Sequence, residues 1–214
     1  MPLFLKDAVL TPVIIEELGN IKGKRAVDLG CGSGYFSRKM VARGARVVGV
    51  DRNKHQLDLA LRKSTRNIRY LKGDIIRTHL PAASFDLALL NLVNVEIPST
   101  STVIKVFKNT RGWLKRNGTL VIGDVHPHNL GKGSAADSFL PSSGKDYFDN
   151  GSKWHSESYR IDGKKLKFYP NYHYTIEFLV NTLIETGFRL ERMHEIPYKN
   201  EGFPIGLVLV ARKE

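Results

Sequence analysis

The chain has 214 residues, 42% hydrophobic and 25% charged, which excludes collagen-like and wholly disordered readings. A chain of this length can bury roughly 70% of its unfolded surface, enough for a core without disulfides or structural metal. The single cysteine, Cys31, supplies neither a disulfide nor a zinc-binding cluster and fits a reducing, cytoplasmic setting. The net charge of +12 is lopsided: residues 1–120 hold 21 basic against 9 acidic side chains, whereas residues 121–214 hold 12 of each. Such an excess reads either as a solvated face or as a surface for an anionic partner.

Met1 to Leu5 is an apolar run too short for a signal peptide, and no stretch approaches the ~20 apolar residues of a membrane span. Residues 7–20 carry a helical period through Val9, Leu10, Val13, Ile14 and Leu18. Residues 25–29 predict a buried strand, 35–42 a helix, and 46–50 a second strand that ends at Asp51. Asn53 predicts a helix cap, followed by Leu57, Ala60 and Leu61 on one face. Residues 68–71 and 85–90 predict further strands, 103–114 a helix, and 119–124 a fifth strand. This alternation implies a parallel sheet covered on both faces.

Residues 126–174 break the pattern. They are rich in Gly, Ser, Asp and Lys, and nine of the chain's twenty aromatic residues fall between Phe139 and Tyr174. A helix is then expected from Thr175 to near Gly187. Two extended runs around Gly202, Phe203 and Pro204 read as an antiparallel hairpin. The expectation is one domain over residues 1–214, with an inserted lid at about 126–174.

The strongest local signal is Val27-Asp28-Leu29-Gly30-Cys31-Gly32-Ser33-Gly34, placed where a strand turns into a helix. Glycines there permit positive φ and close approach of a ligand to backbone. The spacing does not fit G-x-G-x-x-G, because Tyr35 stands where the third glycine belongs, and the lysine of a phosphate loop is missing. Asp51 follows Gly34 by 17 residues, where a carboxylate can accept both hydroxyls of a ribose. Asp74, in Gly73-Asp74-Ile75, can face an exocyclic amine or simply close a turn.

With those three features in register, the sequence resembles the class I S-adenosylmethionine-dependent methyltransferases, and most closely their small-molecule branch. The resemblance implies a Rossmann-like α/β fold with a seven-stranded sheet in the order 3-2-1-4-5-7-6, its last strand antiparallel. It implies S-adenosyl-L-methionine as cofactor. Asp28, Gly30 and Gly32 would line its methionine end, Asp51 with the adjacent Arg52 its ribose, Asp74 and Ile75 its adenine, and Asn91 and Leu92 its sulfonium. An Asn/Asp-Pro-Pro-Tyr/Phe motif for amino groups of bases is absent, since Asn91-Leu92-Val93-Asn94 stands there, and Cys31 inside the glycine turn is poorly placed as a nucleophile.

The expected reaction is methyl transfer to an oxygen or nitrogen of a small-molecule acceptor. The alternatives are an RNA methyltransferase using the basic edge and a non-catalytic, cofactor-binding partner subunit. His126 is the expected acceptor-side base and His128 the second choice, because both follow a central strand and imidazole accepts protons near neutrality. His-x-His is also a possible metal pair, but no third ligand lies nearby in sequence, so no metal is expected. Tyr147, Phe148, Trp154, Tyr159, Phe168, Tyr169, Tyr172 and Tyr174 are candidates for the pocket wall or for a small core beneath the insertion. His155 and His173 belong to the same segment.

Overall fold

The computed structural model describes residues 5–129, 139–140, 147–156, 169–197 and 204–214. A π-helical turn over Leu5–Leu10 leads into α1 (Thr11–Leu18), so the expected single helix over 7–20 is split and ends at Gly19, where φ is +57°. Then come β1 (Arg25–Leu29), α2 (Tyr35–Ala42), β2 (Arg46–Asp51), α3 (Lys54–Leu61), β3 (Ile68–Lys72) and β4 (Phe85–Asn91). Next are α4 (Thr100–Trp113), β5 (Leu114–Val125), β6 (Phe139–Leu140), β7 (Lys153–Ser156) and β8 (Tyr169–Tyr172). The chain closes with α5 (Ile176–Glu185), β9 (Phe188–Pro197) and β10 (Pro204–Lys213).

Seven strands form one sheet in the order β3-β2-β1-β4-β5-β10-β9. The first five run parallel, while β10 pairs antiparallel with both β5 and β9. This is the expected order, with the final strand inserted between the fifth and its own hairpin partner. Both faces of the sheet are buried, and successive residues supply them in turn. In β4, Ala88 and Leu90 join the core under α4 and α5, whereas Leu87 and Leu89 join the core under α1 and α2. β5 and β10 divide likewise, Leu120 and Ile122 from Val121, and Leu207 and Leu209 from Val208 and Val210.

Local chemistry starts the helices. The Asn53 side chain accepts from the Gln56 amide and caps α3. The Ser99 and Thr175 side chains cap α4 and α5 in the same way, through the amides of Thr102 and Phe178. β5 begins at Leu114, five residues before the expected start, because Leu114 already pairs with Phe85 before the register breaks and resumes at Leu87 and Thr119. Asn117, with φ +60°, sits in that irregularity. Between β5 and α5 the described residues form a small antiparallel sheet, β6-β7-β8, which the sequence pattern did not announce. Among the described residues no helix is long and apolar enough to cross a membrane.

Candidate active site

The glycine turn starts where β1 ends. The Gly30 and Cys31 amides both donate to the Val50 carbonyl, at 2.8 and 3.0 Å, tying the turn to the end of β2. Gly30, Gly32 and Gly34 have φ of +71°, +52° and +75°. A Cβ on Gly30 would lie 2.6 Å from a Val93 methyl, and one on Gly34 would run into the Tyr70 hydroxyl. Only glycine satisfies both the torsion and the space. The Gly32 amide donates to Asp51 Oδ2 at 2.7 Å, and the Asn53 amide to Asp51 Oδ1 at 2.7 Å. A carboxylate has about four acceptor positions, so Asp51 keeps capacity on both oxygens. Arg52 points instead to Glu96, in an exposed ion pair at 3.5 Å.

Asp28 lies beneath the turn, buried, and accepts the Ser37 hydroxyl at 2.6 Å. Burial pushes its carboxyl up to about 6. Burial also pushes the Cys31 thiol far above its ordinary value, leaving it inert as a nucleophile. The Gly73 amide donates to the Asp51 carbonyl at 3.0 Å, bringing Asp74 beside Asp51. Asp74 Oδ1 accepts the Ile76 amide at 2.9 Å and closes an Asx turn. Ile75 packs against the core, and the Asn109 side chain donates to the Ile76 carbonyl at 3.1 Å.

At the end of β4 the backbone is strained. Leu92 has φ +59°, a conformation costing an ordinary L residue about 1 kcal/mol or more, and its amide donates to the Gly123 carbonyl at 2.7 Å. Beside it the Asn91 Oδ1 is buried with no hydrogen-bond partner among the described residues. An orphaned acceptor is costly and suits a ligand donor.

A cavity opens next to this turn. It is open to solvent and is walled by Asn94, Val95, Asp124 to Pro127, Tyr172 to Tyr174 and Leu179. Asp124 is buried, its Oδ1 accepting the Val125 amide at 2.8 Å. Burial pushes this carboxyl up to about 7, against the opposing pull of the Val125 and Val95 amides and the nearby Asn94 side chain. The Tyr174 hydroxyl donates to the Ile97 carbonyl at 2.6 Å, and its ring stacks on Phe178.

The histidines divide here. His126 Nδ1 accepts the His128 amide at 3.1 Å, and its Nε2 meets Glu195 Oε1 at 2.9 Å. The first contact requires a lone pair on Nδ1, so the proton sits on Nε2 and points at the carboxylate. As held here, neither nitrogen offers the cavity a lone pair. His128 is exposed, its ring 6.4 Å from that of His126. His173, buried, places Nε2 2.6 Å from the Tyr147 carbonyl. Of the expected aromatic wall, Tyr172 and Tyr174 line the cavity, Tyr147 packs edge-on against His173, and Phe148 is 69% exposed. Tyr159 and Phe168, and the side chains of Trp154, His155 and Tyr169, lie outside the described residues.

Sequence reasoning passed over Asp124 and Asn94. The signal for Asp124 was available: Leu120-Val121-Ile122-Gly123-Asp124 repeats the apolar-strand-then-acid form of Val47-Val48-Gly49-Val50-Asp51.

Residues 27–122 match the family described as a methyltransferase domain. An S-adenosylmethionine-dependent methyltransferase of Mesorhizobium loti superposes with a TM-score of 0.73 at 26% identity, over 94% of this chain and 96% of that one. A Listeria monocytogenes structure described in the same terms gives 0.77 at 22%, over 98% and 99%. Ubiquinone biosynthesis O-methyltransferases of Coxiella burnetii are 29% identical over 128 residues, 58% of this chain and 53% of theirs, so the match spans about half of those relatives. The residues in place suit the cofactor these names carry: a positive-φ glycine turn left open at Gly32, a carboxylate with spare acceptor positions, and a buried amide oxygen lacking a donor among the described residues. Fold, turn and similarity agree: residues 27–122 carry a methyltransferase domain, and the fold is that of the S-adenosylmethionine-dependent methyltransferases.

Proposed function

We propose that this enzyme methylates an oxygen or nitrogen of a small-molecule acceptor held in the cavity beside Asn91 and Leu92. The observation that carries the reading is the cavity's position. It adjoins the carboxyl ends of β4 and β5, the side of an open α/β sheet where ligands bind, and aromatic and titratable side chains wall it. Gly30, Gly32 and Asp51, with Asp28 beneath them and Asp74, Ile75, Asn91 and Leu92 alongside, would hold the cofactor; Arg52 would edge its ribose side. S-adenosylmethionine, when bound, supplies a methyl group already activated by positive sulfur. The chain's own task is to align the acceptor, exclude water and accept a proton. Residues 126–174 would serve as the lid of a single domain, with the β6-β7-β8 sheet as its frame. The related ubiquinone-pathway enzymes are named as O-methyltransferases, which suits such an acceptor. A buried, lone cysteine accords with a cytoplasmic home.

The basic residues that motivate an RNA acceptor flank both ends of β2 and β3, at the edge of the sheet far from β5 and this cavity, and so give the small acceptor preference. Incubating the protein with a metabolite extract and methyl-labelled S-adenosylmethionine tests the reading. Label in a low-molecular-weight product is the expected outcome. Label only in RNA or protein, from an enzyme that binds S-adenosylhomocysteine normally, would overturn it.

A further inference from the structure

We propose that His173 is the group that takes the proton from the acceptor oxygen or nitrogen; the proposal rests on the small-acceptor reading above. The ring is fixed by its neighbours. Its backbone amide donates to the Ser152 carbonyl at 2.9 Å, and its carbonyl accepts the Gly151 amide at 2.7 Å. On its far side the Tyr174 hydroxyl anchors to Ile97, and the Thr175 amide donates to Asn150 Oδ1 at 2.7 Å. His173 is thus clamped between the small sheet and the start of α5, in the wall of the cavity.

The tautomer follows from its one side-chain partner. A carbonyl only accepts, so the Nε2 facing Tyr147 must carry the proton, and the lone pair lies on Nδ1. Nδ1 makes no hydrogen bond among the described residues. His126 stands in the same wall in the opposite condition, its lone pair consumed by the His128 amide and its N–H by Glu195. The groups facing His173 are the Tyr147 ring and peptide, Asp149, and the cavity walls with Asp124, His126, Tyr172 and Tyr174. Burial lowers the imidazole's affinity for protons more than the Tyr147 carbonyl and Asp149 raise it, so the ring is neutral at pH 7.

The chemistry balances. The acceptor's lone pair forms the new bond to the methyl carbon, and the electrons of the breaking carbon–sulfur bond stay on sulfur as a neutral thioether. The acceptor's proton passes to Nδ1. The resulting imidazolium keeps Nε2–H on the Tyr147 carbonyl, beside Asp149, until it gives its proton to solvent.

Two measurements test the role. Ring-nitrogen NMR of the full chain saturated with S-adenosylhomocysteine should show His173 as the Nε2–H tautomer, titrating below 6.5. An Nδ1–H tautomer, or a ring charged at pH 7, overturns the proposal while normal S-adenosylhomocysteine binding leaves the methyltransferase reading standing. Failure of S-adenosylhomocysteine to bind removes both. Turnover with methyl-labelled cofactor is then compared between wild type and His173→Asn on catechol and on 4-nitrocatechol, which is already ionised at neutral pH. The variant should lose roughly 10²-fold or more on catechol and the acid limb of its pH profile, and much less on 4-nitrocatechol. Equal losses on both would mark a structural role and reject the proposal. If wild type methylates neither probe, the tautomer alone decides.

Discussion

The two ends of the main sheet treat charge differently: both signs meet at the carboxyl ends, where Arg52, Lys54, Lys72 and Arg77 also lie, but among the described residues only there are carboxyls buried. At the carboxyl ends of the strands Asp28, Asp51, Asp74 and Asp124 gather around the glycine turn and the cavity, two of them fully buried. At the amino ends the charge is basic. Lys22, Lys24 and Arg25 precede or open β1, Arg43 and Arg46 flank the start of β2, and Arg62, Lys63 and Arg66 lead into β3. Lys115 and Arg116 sit by the start of β5, and all ten are exposed. Backbone bonds join these loops into one rim, Gly23 to Gly44, Arg46 to Lys24 and Val47 to Asn67, each at 2.9 Å. The lesson is that burial, more than charge count, decides which ionisable groups can do chemistry. A buried carboxyl changes its proton affinity by units; a cation in water changes almost nothing.

The largest effects should come from the carboxyl end. Gly30→Val places a branched side chain at φ +71° against Val93, and should abolish measurable S-adenosylhomocysteine binding and lower stability by at least about 1 kcal/mol. Calorimetry and urea unfolding would show it; near-normal binding would mean that the turn is not the cofactor's seat. Asp51→Ala leaves the Gly32 and Asn53 amides without their acceptor and removes the expected ribose partner. Affinity should fall by more than about tenfold, with little change in unfolding midpoint. An unchanged dissociation constant would detach Asp51 from the site.

The next effect is a pH dependence. The folded protein holds the Asp124 proton more tightly than the unfolded chain does, since its carboxyl is raised from 3.8 to about 7. Its contribution is therefore complete at low pH and is lost as pH rises through about 7. Asp28, raised to about 6, acts in the same direction at slightly lower pH. His126 and His173 are lowered from 6.5, so their contribution is lost as pH falls below that value, opposing the acids there. Unfolded histidines are still half charged at pH 6.5 and their recovery offsets the loss from Asp124, so the acid is isolated by comparison with Asp124→Asn, in which the histidine contribution is shared. Across pH 6.5 to 8 wild type should lose stability relative to Asp124→Asn, by an amount on the order of 1 kcal/mol. A urea midpoint of wild type that climbs relative to that of Asp124→Asn through this interval would contradict a raised, buried Asp124.

Much of the carboxyl end was legible because its signals are local. The Asp28-to-Gly34 turn, the acid closing β2 and the Asn53 cap each depend on residues within a few positions of one another. The hairpin of β9 and β10 announced itself by two extended runs, and the family resemblance supplied their antiparallel place in the sheet. What escaped was non-local or short. His126 is occupied by Glu195, 69 residues away, and no spacing rule reveals that partner. The tautomer of His173 is set by the carbonyl of Tyr147, 26 residues earlier and across the small sheet. That sheet has strands of two to four residues, with Pro170 among them, too brief to show a period. The early start of β5 was hidden because a single pair, Leu114 with Phe85, precedes the break in register.

The smallest expected effect tests the amino end alone. Of its ten cations only Lys115 lies within 4 Å of a carboxylate among the described residues, at 2.7 Å from Asp86. The others repel one another through water, where two unit charges about 10 Å apart interact by only about 0.4 kcal/mol before screening. Lys24 and Arg46, joined through Arg46 N–H and the Lys24 carbonyl, form the closest-linked pair on which to try this. Lys24→Gln combined with Arg46→Gln should raise stability by a few tenths of a kcal/mol at low ionic strength. Added salt should erase the gain as the Debye length contracts to roughly 8 Å near physiological ionic strength. S-adenosylhomocysteine affinity and small-acceptor turnover should not move, because both substituted side chains stand at the opposite end of their strands from the glycine turn. A loss of cofactor affinity in the double variant would show that the two ends are coupled. Salt-sensitive retention of labelled RNA by wild type, lost in the variant, would instead give the rim a partner and revive the RNA reading.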